Sequence, residues 1–142
     1  MTYGPDDASL ARILADTATI AVVGLSSKPD RPSYEVAAYL QRQGYRIVPV
    51  NPRETEVLGE TAYASLDDVP ADVRIDLVDV FRRAEDTPAV AEEAVRRGAR
   101  FLWLQLGIEN DEARRIAEDA GIDVVMDRCI MVDHRALKEA LP

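Results

Sequence analysis

Residues 20–34 read Ile-Ala-Val-Val-Gly-Leu-Ser-Ser-Lys-Pro-Asp-Arg-Pro-Ser-Tyr, and this stretch decides the fold class. A short apolar run rich in Val and Ile, closed by Gly24, is typical of a strand buried on both faces of a sheet. The residues from Pro32 to Gln43 then show helical spacing of apolar side chains and stop at Gly44, a common C-terminal helix signal. This order predicts the first strand, loop and helix of a nucleotide-binding α/β domain.

Strands and helices alternate along the rest of the chain. We predict a leading helix within residues 6–17 and further strands over Tyr45–Val50, Ile75–Phe81, Arg100–Gln105 and Ile122–Met126. We predict further helices over Glu85–Arg97, Glu109–Ala120 and Asp133–Leu141. The weak pattern from Pro52 to Arg74 indicates an abbreviated crossover in place of a full helix. Residues 1–142 are therefore expected to form one α/β domain, a Rossmann-like three-layer α/β/α fold around a five-stranded, mostly parallel sheet.

Composition narrows the possible partners. The net charge of −9 argues against a nucleic-acid surface, which needs a broad basic face. No apolar run approaches the roughly 18 residues of a membrane span, so no membrane association is expected. The N-terminal residues lack the basic start and apolar stretch of a signal peptide, and one cysteine fits a reducing compartment. A cytoplasmic location is expected.

The loop after Gly24 differs from the usual dinucleotide fingerprint, because its second and third glycines are missing. Hydroxyls and cations replace them, at Ser26, Ser27, Lys28, Arg31 and Ser33. The following helix directs free backbone N–H groups and the positive end of its dipole toward this loop. Serine hydroxyls can donate hydrogen bonds and the two cations can neutralise a pyrophosphate. The loop therefore predicts a phosphate-binding site.

The end of the second strand adds a second indication. NAD-binding domains usually place Asp or Glu there to hold the ribose 2′-hydroxyl, whereas this chain reads Val-Asn-Pro-Arg at residues 50–53. A phosphorylated ribose suits Arg53 better than a free diol does, although Glu54 follows directly. Coenzyme A carries a 3′-phosphate and NADP a 2′-phosphate, so this position leaves both ligands open. Arg82 and Arg83 follow the third strand, which places four or five cations on one rim.

Five ordered blocks resemble the stand-alone CoA-binding domain family, which is similar to the N-terminal CoA-binding domain of the succinyl-CoA synthetase α subunit. They are the loop quoted above and the stretches at residues 44–52, 76–83, 102–108 and 127–130, the last reading Asp-Arg-Cys-Ile. The resemblance covers about residues 10–137. It implies that the ligand is coenzyme A.

The resemblance also implies roles for individual residues, by their place in the matching blocks. The phosphates of CoA would be held by Gly24, Ser26, Lys28, Ser33 and Tyr34. The adenine and its phosphorylated ribose would be flanked by Val50, Asn51, Pro52 and Arg53. The opposite wall would be formed by Val80, Phe81 and Arg82, and the pantetheine path would pass Gln105 and Gly107.

No catalytic constellation or metal-ligand cluster is visible in the sequence. Ligases of the succinyl-CoA synthetase type need a further domain with a phosphorylated histidine and a nucleotide-grasping subunit, for which these residues offer no counterpart. His134 is expected to be a surface or cap residue, and Cys129 an inert buried one. Asp76 and Asp79 are expected to have structural roles.

The leading hypothesis is thus a non-catalytic protein that binds CoA or acyl-CoA, as a carrier or as a regulator of a partner protein. One alternative is an NADP-binding oxidoreductase module, which the missing glycines disfavour. The other is an interaction subunit of an acyl-CoA ligase that kept the fold and lost its ligand. Lys28 and Arg53 argue mildly against it.

Overall fold

A five-stranded parallel sheet forms the centre of the structure, a computed structural model that describes residues 5–141. Residues 1–4, which belong to the stretch used above for the signal-peptide prediction, and Pro142 lie outside the described residues. The strands of this sheet are β1 (Thr19–Val23), β2 (Arg46–Val50), β5 (Leu77–Val80), β6 (Phe101–Leu104) and β7 (Asp123–Val125). Their spatial order is β2-β1-β5-β6-β7. The chain therefore changes direction of travel between β1 and β5, the switch point of a doubly wound sheet.

Helices cover both faces of the sheet. They are α1 (Asp7–Ala15), α2 (Pro32–Arg42), α3 (Thr87–Arg96), α4 (Asp111–Asp119) and α5 (Ile130–Leu137). Apolar side chains of α1, α2 and α5 pack on one face, and those of α3 and α4 pack on the other. All five residues of β1 are buried, as expected for a central strand covered on both sides. The predicted three-layer α/β/α fold is confirmed. In residues 5–141, no helix is both long and apolar enough to cross a membrane.

The crossover from β2 to β5 contains no α-helix, as the weak sequence pattern predicted. A small antiparallel hairpin of β3 (Glu56–Val57) and β4 (Glu60–Thr61) comes first, followed by a short 3-10 turn at Leu66–Asp68. The guanidinium of Arg97, just after α3, donates hydrogen bonds to the carbonyls of Leu66, Val69, Pro70 and Val73. Arg97 thus fixes a segment that lacks a helical backbone ladder of its own.

The last helix begins three residues earlier than the sequence predicted. Asp133 resembled a helix start, but α5 begins at Ile130, with Cys129 as the extended N-cap residue. The apolar Ile130 and Met131 are buried in the core, which places the first turn of the helix against the sheet. Asp133 instead forms a bidentate ion pair with Arg128, with both N–O distances 2.8 Å. Tertiary packing therefore overrides the local start signal.

Gly24 lies between the ends of two strands and tolerates no side chain. Its backbone has φ +90°, and an added Cβ would lie 2.4 Å from the carbonyl oxygen of Phe81. The Gly24 N–H donates to Val50 O at 2.7 Å, and the Phe81 N–H donates to Val23 O at 2.8 Å. The end of β1 is therefore held between β2 and β5 by contacts that only glycine permits.

We expect Gly24→Ala to be more destabilising than Gly121→Ala. Both glycines have positive φ, but a Cβ on Gly121 meets no atom within 4 Å. The Gly121 variant carries only left-handed backbone strain, about 1–2 kcal/mol. The Gly24 variant adds the clash with Phe81, which costs about 1–3 kcal/mol more. Urea unfolding measures the free energy of unfolding of both variants. Equal decreases would show that the sheet accommodates the Cβ at residue 24 without a measurable clash.

Candidate functional site

A cleft of about 640 Å³ opens at the carboxyl ends of β1 and β2, beside the first turn of α2. Its volume lies within the range of small-molecule sites, about 300–1,000 Å³. It is lined by Gly24, Ser26, Ser27, Lys28, Arg31, Pro32, Ser33, Asn51, Arg53, Glu54 and Phe81. The cleft is therefore placed where open α/β sheets bind ligands, at the switch point beside β1.

Hydrogen bonds within the loop give it a defined shape. The Ser26 N–H donates to Ser33 Oγ at 3.1 Å, and the Lys28 N–H donates to Ser26 Oγ at the same distance. The Arg31 N–H donates to Lys28 O at 3.0 Å. Ser33 is buried and belongs to the first turn of α2, so the loop is fastened to the helix start. The loop backbone therefore lies beside the N-terminus of α2, a favourable place for an anion.

Three cations line this cleft. Lys28 and Arg31 come from the loop, and Arg53 comes from the turn after β2. Pro32, the first residue of α2, has no N–H to leave unpaired, and the helix adds the positive end of its dipole. A net positive cleft on a protein of charge −9 attracts a polyanion locally while the rest of the surface repels it.

Asn51 joins the turn after β2 to the loop after β1. Its side-chain amide donates to Leu25 O at 3.0 Å, and its Oδ1 accepts from the Arg53 N–H at 2.9 Å. These two bonds use both ends of the amide, so Asn51 is a structural part of the cleft. Its position also brings Arg53 alongside Lys28 and Arg31, since all three line the same cavity.

The structure separates the remaining predicted residues from this cleft. Val50 and Val80 direct their side chains into the core on the α3 side of the sheet. Tyr34 packs against the core on the α2 side, and Pro52 is exposed. Arg82 lines a different cavity of about 110 Å³, together with residues of α3 and the crossover. Of the predicted opposite wall, only Phe81 contributes to the cleft. It directly follows β5 and packs on the α2 side of the sheet, whereas Val80, the last residue of β5, packs on the α3 side.

Gln105 and Gly107 are engaged elsewhere. Gln105 is buried, and its Nε2 donates to Asp79 Oδ1 at 2.5 Å. The Gly107 N–H donates to Asp127 Oδ1 at 2.7 Å, and Asp127 has a left-handed φ of 58°. Both residues therefore stabilise the ends of β5, β6 and β7. Neither lines the cleft.

Two cleft residues were absent from the predicted set. Pro32 was recognised only as a helix start, and Glu54 only as a neighbour of Arg53. The Oε2 atom of Glu54 accepts a hydrogen bond from the Ser27 N–H at 2.9 Å. The end of β2 itself carries no carboxylate, as predicted, but the turn after the strand folds Glu54 back onto the loop. The one sequence feature that could have predicted this contact was the position of Glu54 directly after Asn-Pro-Arg.

His134 is buried, which contradicts its expected surface position. Its Nδ1 lies 2.7 Å from the hydroxyl of Tyr39, and its ring makes edge contacts with Tyr39 and Tyr45. Helix α5 packs against α1 and α2, which turns this side of the helix inward. Cys129 is partly buried at the start of α5. Neither residue lines the cleft.

The two aspartates of the β5 region have structural contacts, as predicted. Asp76 Oδ2 accepts hydrogen bonds from the Ala18 and Thr19 N–H groups, each at 3.0 Å. Asp79 is fully buried, and its Oδ2 has no partner among the described residues. In residues 5–141, no three His, Cys, Asp or Glu side chains are grouped so as to hold a metal ion.

Fold and cleft together define a doubly wound α/β domain with a cationic cleft at its switch point. The chain belongs to the CoA binding domain family, whose model matches residues 18–135. This match confirms the resemblance that the five sequence blocks indicated.

Individual relatives agree with this assignment. YneT of Bacillus subtilis is 45% identical over 134 residues, which cover 94% of this chain and 98% of that protein. The α subunit of the ADP-forming acetate–CoA ligase II of Pyrococcus furiosus is 30% identical over 120 residues, 78% of this chain but only 26% of that subunit. A solved structure of a protein from Pyrococcus horikoshii has a TM-score of 0.91 at 38% identity, with 97% of this chain and 98% of that chain covered. The domain is therefore related to one part of an acyl-CoA ligase subunit.

We expect Asp79→Asn to remove a pH dependence of stability. Burial raises the pKa of Asp79 to about 8, opposed by the hydrogen bond from Gln105. As pH rises from the ordinary pKa of about 4 to 8, the unfolded chain releases a proton that the folded protein retains, so stability falls. The advantage of Asp79→Asn over the wild type should grow across that window. Urea unfolding at pH 5 and pH 8 measures it, with the exposed Asp123→Asn as control; an equal pH response of both variants would contradict the expectation.

We expect the imidazole of His134 to titrate below its ordinary pKa. Burial lowers the pKa of His134, and the charge of Lys138 lowers it further. Because the folded protein then binds this proton less readily than the unfolded chain, stability falls as pH drops below about 6.5. The chain has one histidine, so an NMR titration of its ring resonances is unambiguous.

The two lysines provide a matched pair for that titration. Lys138→Ala should raise the pKa of His134, because it removes the nearby positive charge. Lys28→Ala should leave it unchanged, since Lys28 lines the cleft at the carboxyl end of the sheet. A wild-type midpoint at or above 6.5 would contradict the lowered pKa, and identical shifts in both variants would contradict the role of Lys138.

Proposed function

We propose that this protein binds coenzyme A or an acyl-CoA in the cleft beside α2 and acts as a carrier or regulatory protein, not as a catalyst. The single observation that carries the proposal is the convergence of Lys28, Arg31 and Arg53 on one cavity at the start of a helix. Membership of the CoA binding domain family supports the same ligand.

The cleft fits a pyrophosphate through chemistry already visible in its residues. Lys28 and Arg31 are exposed and free to approach phosphate oxygens, and the serine hydroxyls of the loop supply further donors. The first turn of α2 contributes a favourable dipole. The oxygen atoms of a pyrophosphate would thus accept hydrogen bonds from the two cations and from the serine hydroxyls, all of which belong to the same loop. This arrangement supports binding through the segment Ser26–Ser33.

Arg53 suits a phosphate on the ribose. It follows β2, where NAD-binding domains place a carboxylate for the ribose diol, and its guanidinium can bind a phosphate through two parallel hydrogen bonds. CoA and NADP both offer such a phosphate. The family match favours CoA, and the absence of the second and third fingerprint glycines from this loop disfavours NADP.

The contents of the cleft favour binding over chemistry. Its lining includes no histidine and no cysteine, and its carboxylate, Glu54, accepts from the backbone N–H of Ser27 and not from a serine hydroxyl. The related acetate–CoA ligase subunit is about four times longer than the matched segment, so its activity is not carried over to this domain. A role in delivering CoA to a protein partner, or in sensing it, is consistent with a binding domain of this size. One cysteine in the chain favours a cytoplasmic setting for that role.

Calorimetric titration with CoA, dephospho-CoA, NADP and ADP tests the proposal. We expect CoA to bind best, and removal of its 3′-phosphate to cost about 1–3 kcal/mol, the size of a lost charged hydrogen bond. Lys28→Ala and Arg53→Ala should each weaken CoA binding, whereas Arg83→Ala should not, because Arg83 pairs with Asp86 outside the cleft. Tight NADP binding without CoA binding would favour the oxidoreductase module. Binding of none of the four would favour an interaction subunit.

A further inference from the structure

Three successive backbone N–H groups of the loop already have acceptors in the protein. Those of Ser26 and Lys28 donate to serine hydroxyls, which are neutral. The middle one, on Ser27, donates to a carboxylate oxygen of Glu54 at 2.9 Å. One negatively charged oxygen of the protein itself therefore lies on the loop that faces the cleft.

The position of Glu54 is set by the backbone around it. Its own N–H donates to Asn51 O at 3.1 Å, which closes the turn after β2. The side chain of Asn51 fastens that turn to Leu25 O, at the beginning of the loop. Glu54 is partly buried, while Arg53 next to it is exposed. The turn thus directs the carboxylate toward the Ser27 N–H and leaves the arginine toward solvent.

The contacts of Glu54 are those expected of a ligand phosphate oxygen. An anionic oxygen accepts from a loop N–H next to the N-terminus of α2, in a cavity that Lys28, Arg31 and Arg53 also line. A phosphate group bound in this cavity competes for the same N–H and is repelled by the same carboxylate. Charge and geometry therefore oppose simultaneous occupation.

We propose that Glu54 occupies the position of a ligand phosphate oxygen in the free protein and sets the affinity and charge selectivity of the cleft. This inference rests on the proposed function, since it concerns the same site. The ligand phosphate displaces the carboxylate from the Ser27 N–H. Ligands with a pyrophosphate displace the carboxylate readily, because their charge is stabilised by Lys28, Arg31 and Arg53. Weakly charged ligands gain less from these cations and do not displace it. Glu54 thus acts as a selectivity residue that excludes ligands of low charge.

The variant Glu54→Gln tests this inference with little change of shape, because it retains an acceptor oxygen and removes only the charge. Isothermal titration with inorganic pyrophosphate and with CoA should show about tenfold tighter binding to Glu54→Gln than to the wild type, the size of one charged hydrogen bond. Inorganic monophosphate should gain the most in relative terms. The exposed Glu56→Gln, two residues further on in β3, is the matched control and should bind as the wild type does. Unchanged or weaker pyrophosphate binding by Glu54→Gln would overturn the inference.

The backbone resonance of Ser27 gives a second measurement. Its amide signal in a ¹⁵N–¹H spectrum should shift in Glu54→Gln and again when pyrophosphate is added to the wild-type protein. An amide that pyrophosphate leaves unmoved would show that the phosphate binds elsewhere and would overturn the assignment of this position.

The outcomes also separate this inference from the proposed function. If pyrophosphate binds and Glu54→Gln tightens it while CoA does not bind either protein, the role of Glu54 holds and the CoA proposal fails. If CoA binds the wild type and Glu54→Gln equally, the CoA proposal holds and the role of Glu54 fails. Absence of any binding to either protein contradicts both.

Discussion

The close approach of Gly24 to the carbonyl of Phe81 is the constraint on which the cleft depends. The missing side chain lets the end of β1 lie against β5, while the Gly24 N–H remains bonded to β2. The loop can then leave the sheet at the switch point and reach the first turn of α2. With a side chain at this position, β1 and β5 would have to separate, and Phe81 would leave the wall of the cleft. The absence of a side chain at Gly24 thus permits both the close approach of β1 to β5 and the position of Phe81 in the wall of the cleft.

Polar groups in this domain fall into two kinds with different consequences. Asp79 with Gln105, and Tyr39 with His134, are bonded in the interior and hold neighbouring elements together. The cleft instead carries Lys28, Arg31 and Arg53 at the surface, where they remain available to a ligand. Gln105 belongs to the first kind, and it lies after β6, outside the lining of the cleft. Glu54 is intermediate, since its bond to the loop is at the surface and open to competition.

Much of the architecture could be predicted because local signals agree with the tertiary structure. The strand rich in Val and Ile, the glycines after helices and the weak pattern between residues 52 and 74 each indicated the observed element. The start of α5 could not be predicted in the same way. Asp133 carries a start signal, yet burial of Ile130 and pairing of Asp133 with Arg128 move the helix start upstream. Nine of the predicted site residues line the cleft. Glu54 also lines it but was not predicted as a site residue, because only the turn after β2 brings it there.

The amino-acid sequence by itself determined the fold class and the run of serines and cations after Gly24, because these depend on periodicity and on short-range spacing. The family was indicated separately, by the resemblance of five sequence blocks. Only the tertiary structure decided which of the residues that follow the carboxyl ends of the strands line the same cavity. Phe81 and Arg82 both follow β5, yet Phe81 packs on the α2 side and joins the cleft, while Arg82 lines another cavity beside α3. The tertiary structure also decided that a carboxylate accompanies the three cations. The hydrogen bond from the Ser27 N–H to Glu54 forms because the turn after β2 brings the two residues together, and their spacing in the sequence does not predict it.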